Sequence, residues 1–298
     1  MTLCWLSTVA LLGSVAGCGY LIWTMLLIMR LSPARSAAPT APMPGVTIMK
    51  PLHGAESGLL ESLASFCRQD YPGPVQIIFG VQDPADEAIA TVQQLRTLYG
   101  LNHINLIVDA TTHGANGKVS NLINMWRSVE HEIVMLTDSD IRVDPGYVSR
   151  LVIALREREV AAVTCPYHGV AASGMWSRLV ALGINAHFLP NVILAVASGL
   201  AHPCFGSTIA LKRGTLAEIG GLFAIADCLA DDYAIGARLR ALGYKIAVLP
   251  ITVGHMCEEA SAAELWQREV RWARTVRTID PIGYAGTIAT HPFALALS

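Results

Sequence analysis

The stretch "IVMLTDSDIRV", residues 133–143, places two carboxylates one residue apart at the mouth of an apolar run. Only 15% of the 298 residues are charged, so the pair needs a reason. Further short apolar runs flank it: "VTIMK" (46–50), "VQIIFGV" (75–81), "INLIV" (104–108) and "VAAVTC" (160–165). Helix-like stretches separate them, near 56–68, 86–99, 118–129 and 145–157. Strands alternating with helices predict an α/β fold, a mostly parallel central sheet with helices on both faces. In such sheets ligands sit beyond the carboxyl ends of the strands, which directs attention to the residues just after each strand.

The rest of the chain bounds the reading. A hydrophobic fraction of 53% and a mean hydropathy of +0.45 suggest that some segment meets lipid. Residues 1–29 carry no charged side chain, enough for one transmembrane helix over 1–30. A cleaved signal peptide is the alternative, but there is no basic leader and the run is too long, although "SAAPTA" imitates a cleavage site. Arg30, Arg35 and Lys50 follow the span, which orients the remainder to the cytoplasm. Residues 31–45 read as a Pro/Ala linker. The organisation expected beyond it is a catalytic domain over 46–260, an interfacial amphipathic helix over 261–280, and the start of a second, truncated membrane segment over 281–298. Seven scattered cysteines without a C-x-x-C pair indicate neither a zinc site nor a disulfide framework. A net charge of −2 gives no argument for nucleic acid.

Several residues carry candidate chemistry. Asp83 and Asp86 follow the second apolar run, and Asp138 and Asp140 follow the fourth. A carboxylate pair at a strand end can hold a hard divalent cation and leave positions for a nucleotide diphosphate; the plainer reading is a solvated turn. Asp231 and Asp232 open a helix in "LADDYAIGARLRALG", where carboxylates are also ordinary caps. In "WQREVRWART", Arg268 and Arg271 lie three apart beside Trp272, a pattern that an amphipathic surface helix also produces. Lys118, in "NGKVSNL", opens a helix and either reaches phosphates or is solvated. The apolar stretch 183–203, which contains His187, reads first as a buried core segment and second as a re-entrant or interfacial element that admits a lipid.

Taken in order, "KPLHG", "FCRQDYPG", "VQDPAD", "GKVSNL", "DSDIRV", "FGSTIALKR", "ADDY" and R-x-x-R-W resemble the membrane-bound ceramide glucosyltransferase family from residue 46 to about 284. Each piece is weak and the set is specific. The resemblance implies a GT-A type nucleotide-diphospho-sugar transferase fold and inverting transfer of one sugar from a UDP-sugar to a lipid hydroxyl. It implies that Asp86, with Asp83, holds the nucleotide, that Ser139 and Lys118 join the donor site, and that Asp138 and Asp140 bind Mg²⁺ or Mn²⁺. By the same resemblance Asp232 is the general base and Asp231 orients the donor site. Arg268, Arg271 and Trp272 close over the diphosphate, and His187 stands on the acceptor side. "KVSNLINM", "DSDIRV", "WSRL" and "RWARTVR" look closest to the bacterial hopanoid-associated branch, which implies N-acetylglucosamine, a polyhydroxylated hopanoid and the bacterial inner membrane. Glucose transfer to ceramide is the alternative. A processive synthase is disfavoured, because Arg268 holds the Gln position of Q-x-x-R-W. A membrane-tethered nucleotide-sugar binding protein without turnover is the reading from another class.

Overall fold

The computed structural model describes residues 2–30, 42–56, 58–100 and 104–286. Most of the expected linker (31–41) and the end of the expected second membrane segment (287–298) lie outside these residues. The chain forms two compact units. The larger takes the described residues of Pro33–Ala172 and His202–Glu258; the smaller takes those of Met1–Ser32, Ser173–Ala201 and Glu259–Ser298.

Numbering elements along the chain, the larger unit is built from β1 (Val46–Pro51), α2 (Leu59–Cys67), β2 (Val75–Val81), α3 (Ala88–Tyr99), β3 (Ile104–Val108), α4 (Gly117–Trp126), β4 (Ile133–Leu136), β5 (Ile141–Arg142), α5 (Tyr147–Leu155), β6 (Val160–Thr164), β7 (Tyr167–Ala171), β8 (Ile209–Lys212), α8 (Arg213–Glu218), α9 (Asp231–Ala241), β9 (Lys245–Val248) and β10 (Val253–Cys257). A seven-stranded sheet runs in the order β3-β2-β1-β4-β8-β6-β9. β1 pairs in parallel with both neighbours, Ile48 standing opposite Ile77 and Met135. All six residues of β1 are buried, as the continuous apolar run requires when helices cover both faces. The sheet departs from a purely parallel one at β8, which lies antiparallel between β4 and β6. Nothing in the four-residue run "IALK" signals its direction, because periodicity is the same either way.

A second sheet, in the order β5-β10-β7, answers the question raised by the two aspartates. The chain leaves the large sheet at the end of β4 and enters the small one at β5, and residues 137–140 make the step. The turn is pinned on both sides. Thr137 N donates to the Met49 carbonyl at 3.2 Å, and Met256 N, on β10, donates to the Asp140 carbonyl at 3.0 Å. α4 is held close to β2 because Gly80 has no side chain: a Cβ there would collide with the Asn121 amide, which donates to the Gly80 carbonyl at 2.8 Å.

The smaller unit holds α1 (Thr2–Arg30), α6 (Gly174–Gly183), a π turn (Ile184–Phe188), α7 (Leu189–Ala197), α10 (Ala262–Ile279) and α11 (Pro281–Gly286). Residues 173–201, which lie within the 46–260 segment expected as the catalytic domain, cluster with this unit. The expectation that 183–203 is buried core is also corrected: Gly174–Ala197 is one apolar helix, and within 183–203 only Ile184 and Pro190 are buried. α1 packs along α7, with Tyr20 Oη donating to Asn191 Oδ1 and Thr24 Oγ1 donating to the Tyr20 carbonyl at 2.9 Å. α10 starts at the N-cap Ser261, in a variant of the capping box in which the Glu264 side chain reaches the residue before the cap. Glu264 N donates to Ser261 Oγ at 3.2 Å, and Glu264 returns to accept from Ala260 N at 2.9 Å.

Candidate active site

At the carboxyl ends of β1, β2 and β4 a cleft of about 490 Å³ is lined by Pro51, Leu52, His53, Gln82, Gly117, Lys118, Asn121, Asp138, Ser139 and Asp140. This is where an open α/β sheet offers a ligand site. Lys118 is its electrostatic hub. Its Nζ lies 2.6 Å from Asp138 Oδ1 and 2.9 Å from Asp231 Oδ2, so it joins the 138–140 turn to the first turn of α9. Burial opposes its charge, but Asp138 and then Asp231 hold the ammonium above the ordinary lysine range. Local chemistry sets its position: Asn116 caps α4 by accepting from Val119 N at 3.1 Å, and donates to the Cys228 carbonyl at 2.8 Å. Ala115 N donates to Asp227 Oδ1 at 2.8 Å. The loop that carries Lys118 is thereby tied to the loop that leads into Asp231.

Asp231 and Asp232 are not the cap of α9. The N-cap position is Ala230, which makes no side-chain cap bond. Asp232 accepts from Gly206 N at 2.9 Å through Oδ2 and from Tyr233 N at 2.7 Å through Oδ1. Burial, and next the Asp231 charge, push its carboxyl above the ordinary range. Gly206 sits at the centre of the cluster: a Cβ there would lie 3.2 Å from Asp138 Oδ2, 3.3 Å from Asp232 Oδ2 and 3.4 Å from Lys118 Nζ.

Asp140 faces the small sheet, with Oδ2 at 3.2 Å from His255 Nδ1. Burial disfavours its ionised form, but His255, followed by Lys50 and Lys118, brings the carboxyl below its ordinary value. Lys50 is fully buried at the end of β1. Its Nζ donates to the Asp138 carbonyl at 2.6 Å and lies 3.8 Å from the centre of the Phe66 ring. Desolvation lowers it to about 7 against the pull of Asp140 and Asp138.

Among the described residues no group of three or more His, Cys, Asp or Glu could hold a metal by itself. Asp138 and Asp140 nevertheless suit a divalent cation that takes its other ligands from a diphosphate and water. The buried Oδ1 of Asp140 has no hydrogen-bond partner, an acceptor that an ion would satisfy.

The remaining candidates are placed as follows. The Asp86 side chain, 3% exposed, accepts from Gly54 N through both oxygens at 3.0 Å and from Ala88 N at 2.8 Å. It shapes the His53–Gly54 edge of the cleft from behind. Asp83 is exposed and accepts from Ala85 N at 2.8 Å, a local turn bond. Arg268, Arg271, Trp272 and His187 belong to the smaller unit. There Arg268 Nε pairs with Glu259 at 3.1 Å, and the Trp272 ring packs edge-on against Phe188 at 5.7 Å. Arg271 is exposed, and His187 is half-buried in the π turn. Sequence reasoning missed Lys50, Gly206 and His255 as site residues. Lys50 and Gly206 open or lie in the quoted "KPLHG" and "FGSTIALKR" without being singled out there, and His255 left no signal.

The fold is one shared with nucleotide-sugar transferases of the GT-A type. A solved mannosyltransferase, PcManGT from Pyrobaculum calidifontis in complex with GDP-Man and Mn²⁺, superposes with a TM-score of 0.64 at 21% identity, over 98% of this chain and 86% of its own. GalNAc-T7 with UDP, GalNAc and Mn²⁺ superposes at 0.54 with 11% identity, over 73% of this chain and 45% of its own. The glycosyl transferase family 21 model matches residues 9–298, and the chain belongs to that family. Ceramide glucosyltransferases 1 and 3 of Caenorhabditis elegans are 24% and 26% identical to it over 79% and 78% of this chain and 50% of theirs. The probable glycosyltransferase YdaM of Bacillus subtilis is 23% identical over 78% of this chain and 55% of its own. The chain thus spans about half the length of these curated relatives.

Proposed function

We propose that the protein is a membrane-associated, inverting glycosyltransferase that moves one sugar from a UDP-sugar to the hydroxyl of a membrane lipid, with ceramide as acceptor and glucose as the sugar. The observation that carries this reading is the Lys118 bridge between Asp138 and Asp231, which gathers donor-side acids and the Asp232 carboxylate around Gly206. Asp232 is the base: the acceptor oxygen bonds to the anomeric carbon, the bond from that carbon to the diphosphate oxygen breaks with its electron pair leaving on UDP, and the hydroxyl proton passes to Asp232. Its raised affinity for a proton suits that task. Asp138 and Asp140 are the residues that would hold Mg²⁺ or Mn²⁺, whose charge, when bound, offsets that of the leaving diphosphate. Lys118, Ser139 and Asp231 line or brace the donor side, and Asp86, with Asp83, shapes the nucleotide end. The R-x-x-R-W motif supports donor roles for Arg268, Arg271 and Trp272, and His187 is assigned to the acceptor side.

The ceramide reading rests on the curated relatives, most of which are eukaryotic ceramide glucosyltransferases. N-acetylglucosamine transfer to a polyhydroxylated hopanoid at a bacterial inner membrane, with the catalytic unit on the cytoplasmic side, ranks behind it and rests on motif wording alone. The test pairs UDP-glucose and UDP-N-acetylglucosamine with ceramide and bacteriohopanetetrol in mixed micelles, reading UDP release and the mass of the glycolipid. A glucosylceramide product that disappears with chelator is expected. Donor binding with no glycolipid from any pair would reduce the protein to a nucleotide-sugar binder.

A further inference from the structure

We propose that Gly174–Ala197 is a lipid-inserted helix confined to one membrane leaflet, with a phospholipid bilayer as its partner. The helix is 24 residues long and its most apolar 18-residue stretch has a mean hydropathy of 1.8, enough by length and composition to cross a membrane. Its length of about 36 Å exceeds a hydrocarbon core of about 30 Å.

Two observations refine that count. The first is the distribution of its side chains. Ser177, Val180, Ala181 and Ile184 are buried on one face. Met175, Leu179 and Leu182, spaced i, i+4, i+7 on the opposite face, are 60%, 43% and 59% exposed. Arg178 and Asn185 are exposed too, on the flank between these faces; the face directed away from the packed one is apolar, the pattern of an interfacial helix that turns its outer face to lipid and its flanking polar groups to the head groups. Leu200, just beyond it, is 81% exposed and extends the apolar surface.

The second observation is chain connectivity. The chain leaves the larger unit after Ala172 and returns to it at His202. β6, before the excursion, pairs with β8, after it, in one sheet. A sheet cannot be threaded through a bilayer, so both ends of the excursion lie on the same side and the helix does not cross. The return leg, residues 198–201, reaches at most about 14 Å, roughly the depth of one leaflet. The π turn continues the helix without reversing it, its flanking residues Gly183 and Leu189 both keeping right-handed helical backbone. The segment therefore lies within the near leaflet at a shallow tilt. The same unit contributes α10, whose exposed Trp266, Arg274 and Arg277 are the residue types that sit at head-group level.

The inference does not depend on the reaction proposed above, and its test reads position, not turnover. The full chain carrying benzoylphenylalanine at Leu182 is irradiated in vesicles of phosphatidylcholine and phosphatidylglycerol, with Leu242, exposed on the larger unit, as the control position. Lipid adducts are expected at Leu182 and none at Leu242. In the same sealed vesicles, Ser173→Cys and Ser198→Cys should each add labelling by an impermeant maleimide, over the parent chain, from the side that labels Leu242→Cys. Labelling of Ser173→Cys and Ser198→Cys from opposite sides would mean a span and overturn the proposal. So would adducts at Leu182 formed with a second copy of the chain, or no lipid adducts there at all.

Discussion

Replacing Asp232 by asparagine separates base from binder. As a general base it contributes about 10²- to 10⁴-fold to kcat, or about 3–5 kcal/mol. The geometry adds a second expected effect. The two Asp232 oxygens each accept a backbone N–H, from Gly206 and Tyr233. Asparagine accepts through one oxygen only and turns an NH₂ toward the other donor, leaving a partly buried N–H without a partner. That costs about 1–3 kcal/mol of stability. The variant should therefore unfold earlier and turn over far more slowly while binding UDP-glucose with nearly unchanged affinity. The wild-type pH profile provides an internal check. Because burial and Asp231 raise the Asp232 pKa, its base form appears only above the ordinary carboxylate range, and kcat/KM should rise with pH on an acidic limb displaced upward. The asparagine variant should lack that limb. Steady-state kinetics with titration calorimetry for the donor decide the matter: if donor affinity falls as far as kcat, or kcat stays within tenfold of wild type, Asp232 is not the base.

Lys118→Met removes the cation between Asp138 and Asp231, and should cost about 2 kcal/mol at neutral pH, below the 3–5 kcal/mol of a fully buried pair because both Lys118 and Asp138 keep partial solvent contact. Denaturant titrations should show that loss shrinking as the carboxylates protonate at low pH; a pH-independent loss contradicts the bridge. Lys50, lowered in the folded chain to about 7 from 10.5, leaves the unfolded chain holding the extra proton between those values, so wild-type stability relative to Lys50→Met should grow as pH rises from about 7 toward 10.5. A constant difference would show that Lys50 stays charged in the fold. Asp138→Ala should abolish transfer and weaken Mn²⁺ binding followed by electron paramagnetic resonance, and undiminished binding would remove Asp138 from the metal site. Arg271→Ala should lose about 2–4 kcal/mol of transition-state stabilisation in any lipid, whereas Arg274→Ala with Arg277→Ala should lose about 1 kcal/mol per charge and only on anionic vesicles; equal losses in neutral lipid would merge the two roles.

The elements that position this site were legible where side-chain period alone decides the structure. The runs at 46–50, 75–81 and 104–108 became β1, β2 and β3 almost to the residue: β1 and β2 are buried on both faces, where a strand must be largely apolar, and β3, at the sheet edge, is only partly covered. Asp138, Asp140, Asp231 and Asp232 could be singled out as carboxylates at element ends, where packing does not require them. Their assembly could not. Lys118, Asp138 and Asp231 lie far apart in the chain, and only the crossing of α4, β4 and α9 brings their charges within 3 Å. The antiparallel β8 and the two-residue β5 carry no local signal of direction or partner. Lys50 reads as one basic residue after a membrane anchor until burial, the Phe66 ring and the Asp138 carbonyl surround it. The stretch 183–203 shows the limit most plainly: its composition reads first as buried core and second as a re-entrant or interfacial element. Composition measures how much apolar surface a segment has. Which of that surface remains uncovered, and on which side its two ends return, is decided only by the packing of α6 and the pairing of β6 with β8.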